Sequence, residues 1–253
     1  MSQTIWTRCA GSSEVGPLGG RFHRVVEAQF RNSTRKLCDS DEEQQVLESL
    51  IDERAKAPVP AGFEGLHYLL YTPFRHPPLR NGSRFGTRGE RGILYGAKKL
   101  PAALAEVAYY RFVFLEGTAA DLGDVATEHT AFRFGIDARR GVDLTVAPFR
   151  AFEGKISSKT SYDASQRLGA QMRADGVEAA LYVSARAAGR QSNVAVLENV
   201  FAPRAPTEER GLRCTANRLR VEIRGRELLS PDERWSFERG SFEVAGRLPS
   251  PAT

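Results

Sequence analysis

A mixed α+β fold is what this sequence predicts, and three observations predict it. Residues 92–97, G-I-L-Y-G-A, read as a short buried strand, followed by Pro101 at a first helical position and a helix over 102–115 with Leu104, Ala108 and Leu115 on one stripe. Residues 129–136 alternate as a half-buried strand. Residues 178–184 and 193–201 read as two further strands behind a helix over 163–174, which turns Leu168 and Met172 inward and stops at Gly176.

The remaining elements follow in chain order. Residues 1–20 are expected to be a loose N-terminus, and 21–30 suit either a strand or the first turns of a helix. Ser40-Asp41-Glu42-Glu43 is a capping box ahead of Val46, Leu47, Leu50 and Ile51, which predicts a helix over 41–57 ended by Pro58-Val59-Pro60. Residues 1–60 are therefore expected to form a small helical N-terminal region, its apolar stripe facing the main domain or a contact partner. Residues 66–71 read as a strand leading into a loop that prolines hold extended, presenting Arg75 and His76. Residues 115–127 read as a linker and 142–144 as a brief strand or turn. Residues 151–160 read as a polar flap carrying Lys155 and Lys159, and 215–223 as one more strand. A main domain over 61–230 and a C-terminal tail over 231–253 complete the expected organisation.

Composition bounds the function. With 253 residues, 41% hydrophobic and 26% charged, the chain can bury a substantial core. It has no apolar run of transmembrane length, and its first twenty residues do not form a signal peptide. Cys9, Cys38 and Cys214 are odd in number and far apart, which fits a reducing cytoplasm better than a disulfide framework. Neither they nor the four histidines have the spacing of a metal site. A cytoplasmic protein without metal is expected.

The charge is concentrated in one segment. Residues 75–112 hold eight Lys/Arg against Glu90 and Glu106, a net +6 in a chain whose total is +5. Four glycines before Ile93 (82, 86, 89 and 92) allow backbone N–H groups to approach a ligand, and arginine forks suit phosphate oxygens. That combination points to an anion such as a pyrophosphate. The glycines do not make the G-x-G-x-x-G fingerprint after a strand, which disfavours a Rossmann oxidoreductase. Arg84 precedes Tyr95 by eleven residues, and Tyr95 precedes Glu106 by eleven. Singly they read as a loop arginine, a core tyrosine and a helix-surface acid; behind a basic Gly-rich loop they form a constellation.

These residues carry a family resemblance. The run S-R-F-G-x-x-G…G-I-L-Y-G-A…A-L-A-E-V resembles the core of the RES domain, the toxin of RES–Xre toxin–antitoxin pairs, with Arg84, Tyr95 and Glu106 on the family's Arg, Tyr and Glu. D-G-V-E-A-A-L-Y-V-S-A-R-A-A-G-R-Q-S-N-V-A-V-L resembles a later family segment and places Ser184, Arg186 and Asn193. H-Y-L-L-Y-T-P-F-R-H-P-P-L resembles the longer, ParT-type members. Gly86 departs from the Asn that many members carry after the aromatic. The resemblance spans roughly residues 60–205. It implies an ADP-ribosyltransferase-like core of two packed, mainly antiparallel sheets with flanking helices, and NAD as substrate.

It also implies roles. Arg84, with Arg75, would hold the pyrophosphate, and Tyr95, with Phe85 or His76, would stack on nicotinamide. Glu106 would stabilise positive charge growing on the ribose C1′, because the nicotinamide–ribose bond breaks through an oxocarbenium-like transition state. Ser184 would hydrogen-bond the nicotinamide or ribose; Asn193 is a further NAD-binding candidate, and the alternative for it and for Arg186 is that they simply hold the loop together. The implied activity is that of a toxin transferring ADP-ribose to a protein, with phosphoribosyl pyrophosphate synthetase suggested by the ParT-type relatives. The alternative is hydrolysis or phosphorolysis that depletes NAD. The implied partners are an Xre-like antitoxin over the NAD site and a protein acceptor, with neither direct nucleic-acid contact nor a membrane. A basic nucleic-acid-binding module, suggested by the pI of about 9.3, is a more remote alternative without a recognisable motif.

Overall fold

The computed structural model describes residues 4–28, 40, 42–43, 46, 57–76, 80–225 and 233–251. Its frame is set by two long strands, β1 (Gly16–Glu27) and β3 (Val125–Asp143), paired antiparallel from Gly16↔Gly141 to Glu27↔His129. Around them lie β2 (Leu94–Ala97), β4 (Ala179–Val183), β5 (Ser192–Val196), β6 (Thr207–Ala216), β7 (Arg220–Gly225) and β8 (Arg234–Glu238). The strand order is β1-β2-β5-β4-β3-β6-β7-β8, and the further β1–β3 pairing closes the first five strands on themselves. Among the described residues only β3–β4 is parallel; the other pairings are antiparallel. The expected α+β class with a mainly antiparallel core holds, its layers being parts of one continuous sheet.

The β2-β5-β4 part faces the β1-β3 part across an apolar core. Leu94, Val194, Val196 and Leu181 on one side pack with Phe22, Phe132, Phe134 and Ile136 on the other. Gly96 has no side chain because the Phe134 ring lies 2.6 Å from where its Cβ would be. The opposite face of β2-β5-β4 is covered by α1 (Ile5–Arg8) and α5 (Asp163–Ala174), through Trp6, Leu168 and Met172. Burial on both faces explains why β4, Ala-Ala-Leu-Tyr-Val, shows no alternation: all five residues are buried. The α3 helix (Leu100–Glu116) lays Leu104, Ala108, Tyr109 and Phe112 on β6 and β7.

Several expectations are corrected. Residues 66–71 are not a strand but lead into a helix, α2 (Tyr68–Arg75), whose N-cap His67 accepts a hydrogen bond from the Leu69 N–H at 3.4 Å. A short apolar run fits either state, and burial of Leu69, Leu70 and Phe74 against the sheet decides for helix. The expected loose N-terminus and helical region over 1–60 are both corrected: α1 (Ile5–Arg8) and a 3-10 turn (Gly11–Glu14) lead into the strand β1. Its Gly-rich first part, 16–20, gives no strand signal and 21–27 suits strand or helix alike, so pairing with β3 supplies the order. Of the expected 41–57 helix, Glu42, Glu43 and Val46 are helical, the Glu43 N–H donates to Ser40 Oγ at 3.1 Å, and Ala57 is not helical; the rest lies outside the described residues.

The 151–160 segment is not a continuous loop: a 3-10 turn (Phe149–Phe152) runs into α4 (Glu153–Ile156). Nor is 231–253 a free tail. β8 pairs with β7, Phe242 is buried beside Phe112, and the Tyr109 hydroxyl donates to the Pro249 carbonyl at 2.6 Å.

Candidate functional site

Strand register brings the first three side chains together. Asn193 is opposite both Ala97 and Tyr182, and Tyr95 is opposite Ala195. Opposed residues share a face, and so do residues two apart, so Tyr95, Tyr182 and Asn193 project on the side of β2-β5-β4 away from the apolar core. The α3 helix passes beside this face and presents half-buried Glu106 from the edge of its packed stripe.

Two donors fix the Glu106 carboxylate. Ser184 Oγ donates to Oε1 at 2.9 Å, and Asn193 Nδ2 donates to the same oxygen at 3.0 Å. Ser184 sits just beyond β4, where its own N–H donates to the Gln191 carbonyl at 2.7 Å. Its Oγ accepts from the N–H groups of Arg186 (3.2 Å) and Ala187 (3.1 Å). The turn occupies the lone pairs, so the hydroxyl proton is left for Glu106.

The Gly-rich segment contributes differently from expectation. Ser83 and Gly86 close a tight turn, with the Ser83 N–H donating to the Gly86 carbonyl at 2.7 Å, and Arg84 and Phe85 lie at its tip. Gly82 has φ +78° and a Cβ there would meet the Gly86 carbonyl oxygen at 2.3 Å; a Cβ on Gly92 would meet the Pro73 carbonyl oxygen at 1.8 Å. These two glycines serve a close turn and close packing on α2, not an anion cradle. The turn is pinned from α5 by Gln166 Nε2, 2.9 Å from the Asn81 carbonyl and 3.0 Å from that of Ser83. Tyr95 pins it from the strand: its hydroxyl bonds Ser83 Oγ at 2.9 Å and accepts from the Phe85 N–H at 3.0 Å. Burial pushes the Tyr95 phenol up to about 12.

Arg84 is only 7% exposed. Its Nη1 donates to the carbonyls of Ile156 (3.1 Å) and Ser158 (3.0 Å), and its guanidinium lies 4.8 Å over the Tyr162 ring. It therefore ties the turn to the chain after α4.

Between these groups lies a cavity of about 330 Å³. Ser83, Arg84, Tyr95, Glu106, Tyr162, Tyr182 and Asn193 line it, together with His23, Arg24, Glu27, Tyr110, Arg111 and His129. Arg24 Nη1 donates to the Tyr95 carbonyl at 2.6 Å, and burial lowers its guanidinium to about 10, which leaves it cationic at neutral pH. His129 is held neutral by burial first and by the Arg111 charge second. The Asn193 Oδ1 is buried without a hydrogen-bond partner among the described residues.

Of the expected site residues, Arg84, Tyr95, Glu106 and Asn193 converge on this cavity, with Ser184 one hydrogen bond behind. Four others do not line it. Arg75 ends α2 and donates through Nε to the Ala57 carbonyl, and His76 is exposed beyond it. The helix that replaces the expected strand carries both away. The Phe85 ring is fully buried, edge-on to Tyr182 at 5.0 Å, so it offers no stacking face; only its N–H serves the site. Arg186 stacks 3.6 Å over Tyr109 and donates through Nη2 to the Lys159 carbonyl at 3.1 Å, which makes it part of the framework. Of the eight cations in 75–112, Arg84 and Arg111 alone line the cavity.

Sequence reasoning missed Arg24, Tyr162, Tyr182 and His129. Tyr182 could have been found, since it stands two residues before Ser184 on a strand whose face Ser184 had already marked. Arg24 and His129 come from strands paired across more than one hundred residues of sequence, and nothing local marks them.

The RES domain family matches residues 59–217. No curated protein matches the chain. Among solved structures, the M. tuberculosis MbcT–MbcA toxin–antitoxin complex is similar, with a TM-score of 0.45 and 13% identity, covering 77% of this chain and 82% of that one. The family match extends over more than half of the sequence, through the turn that holds Arg84, the strands that carry Tyr95 and Asn193 and the helix that carries Glu106: this chain belongs to the RES domain family.

Proposed function

We propose that this protein is the toxin of a toxin–antitoxin module and consumes NAD, transferring its ADP-ribose to a protein. The observation that carries the reading is Glu106, fixed by Ser184 and Asn193 on the wall of a tyrosine-lined cavity. The residues present fit the nicotinamide ribonucleoside end of NAD. Tyr95, Tyr162 and Tyr182 are aromatic walls, Asn193 Oδ1 is an acceptor without a partner among the described residues, and Arg24 and Arg84 supply positive charge.

The chemistry follows from the bond that breaks. The C1′–N bond of NAD parts with its electron pair going to the nicotinamide nitrogen, which becomes neutral. Positive charge then develops on C1′ and the ring oxygen of the ribose. A carboxylate already oriented by two donors stabilises that charge without reorganising. A nucleophile on the acceptor then bonds to C1′ and gives up its proton.

A protein acceptor is favoured over water by the mouth of the cavity. Tyr110 lines it and is 45% exposed, and Phe114, one helical turn on, is 51% exposed. Such an apolar face suits a macromolecule. The resemblance to ParT-type members makes phosphoribosyl pyrophosphate synthetase the first acceptor to examine. The partner that restrains the toxin would be an Xre-like antitoxin covering the same mouth.

The test is mass spectrometry of a cell lysate incubated with NAD and the protein, in parallel with Glu106→Gln. An added ADP-ribose mass on a lysate protein, absent with the variant, is the expected result. Free nicotinamide without any modified protein replaces transfer by NAD depletion, and intact NAD overturns both.

A further inference from the structure

A second cavity, of about 420 Å³, lies between α1, α4 and α5. Its floor is apolar, formed by Ile5, Phe152 and Leu168, and Gln171 reaches it from α5. Its rim is cationic: Arg8 comes from α1, Lys155 from α4 and Arg167 from α5, all three exposed. Among the described residues no acid lines this cavity, and none of them forms an ion pair with any of the three cations. The one acid on α4, Glu153, is taken by Arg190 at 2.7 Å.

Three elements thus each bring to a single apolar groove one cation without an ion pair among the described residues. We propose that this groove is a docking site for an acidic peptide segment of a partner protein, with carboxylates on Arg8, Lys155 and Arg167 and an apolar side chain on the floor. Charge complementarity selects the occupant. A phosphate cup would gather backbone N–H groups and buried forks, whereas these cations are long, exposed and set around an apolar centre. Base stacking is also disfavoured: the Phe152 ring already carries the Arg8 guanidinium, 4.9 Å from its centroid. The groove and the first cavity are linked through the chain, since α4 ends at Ile156, whose carbonyl with that of Ser158 holds Arg84. The inference holds whichever reaction the first cavity performs.

The test is fluorescence anisotropy of the full chain with a labelled glutamate-rich peptide carrying one leucine. The triple variant Arg8→Glu, Lys155→Glu, Arg167→Glu should weaken binding by ~10-fold or more, and added salt should weaken binding to the unchanged chain. A control, Arg80→Glu with Arg88→Glu, removes exposed cations outside the groove and should leave the affinity within about twofold, since rim charges act locally once screened. Circular dichroism melting establishes that both variants fold. No binding to the unchanged chain, equal loss in the two variants, or tighter binding of inorganic tripolyphosphate than of the peptide overturns the proposal.

Discussion

Ser184 gives Glu106 the only proton its hydroxyl owns. Its Oγ accepts from two turn N–H groups, of Arg186 and Ala187, and donates to Glu106 Oε1 across 2.9 Å. The turn after β4 therefore sets the orientation of a carboxylate on α3, a different element 78 residues away.

Ser184→Ala should separate this positioning from the carboxylate itself. The variant removes one donor from Glu106 and leaves two turn N–H groups without their acceptor. Stability should fall by about 1–3 kcal/mol, and the rate of nicotinamide release at saturating NAD by ~10- to 100-fold, the worth of a hydrogen bond to a charged group. Asn193→Asp should cost more, because it sets a second carboxylate against Glu106 where Nδ2 now donates at 3.0 Å. Melting curves and nicotinamide release, measured on the same samples, check both.

Tyr95 ties alkaline stability to the site. Burial pushes its phenol up to about 12, against the pull of Ser83 and the Phe85 N–H, and Tyr109 is likewise raised to about 12, first by burial. Both ionise near 10 in an unfolded chain. Above about pH 10 the unfolded chain loses protons that the folded chain keeps, so stability should fall as pH rises from about 10 toward 12. Tyr95→Phe should flatten that slope. At neutral pH it should also loosen the 83–86 turn, raising KM more than it lowers kcat. Urea unfolding across that pH window measures the first effect and steady-state kinetics the second.

What was legible in the sequence follows from the range of the forces involved. The helix over 163–174 is local: its stripe and the stop at Gly176, φ +66°, are written in consecutive residues. The Arg84, Tyr95 and Glu106 spacing was legible for the same reason, because one turn, one strand and one helix follow each other directly. β1 was legible only in part, as a stretch over 21–30 that suits strand or helix alike, since its only fully buried residue is Phe22 and its order comes from β3. The cavity wall formed by Arg24 and His129 was hidden with it. Arg75 and His76 misled because a run such as Leu-His-Tyr-Leu-Leu-Tyr fits strand and helix alike, and the choice moves everything after it.

Arg84→Lys should uncouple the turn from the chain after α4. One guanidinium nitrogen now bridges the carbonyls of Ile156 and Ser158 while the same group lies over Tyr162. A lysine ammonium on a flexible stem cannot keep that planar arrangement. Hydrogen exchange should rise at residues 156–162 with little change in the β1–β3 pair, and NAD turnover should drop by ~10-fold or more. Exchange unchanged at 156–162 would show that other contacts hold this wall.

The glycines of the basic segment give the sharpest contrast between an anion cradle and close packing. Gly92 and Gly89 lie three residues apart in the same run. A Cβ on Gly92 would be 1.8 Å from the Pro73 carbonyl oxygen and 2.9 Å from that of His76, both backbone atoms that cannot move aside cheaply; one on Gly89 would meet nothing within 4 Å. A cradle would make both replacements harmful to NAD binding and mild for stability. Packing predicts otherwise: Gly92→Ala should destabilise by ~3 kcal/mol or more, or fail to fold, because α2 must be pushed off β2. Gly89→Ala should leave stability within about 0.5 kcal/mol, or raise it slightly by restricting the unfolded chain, and should leave KM for NAD unchanged. Paired melting curves decide the first point, and a titration of NAD against Gly89→Ala decides the second.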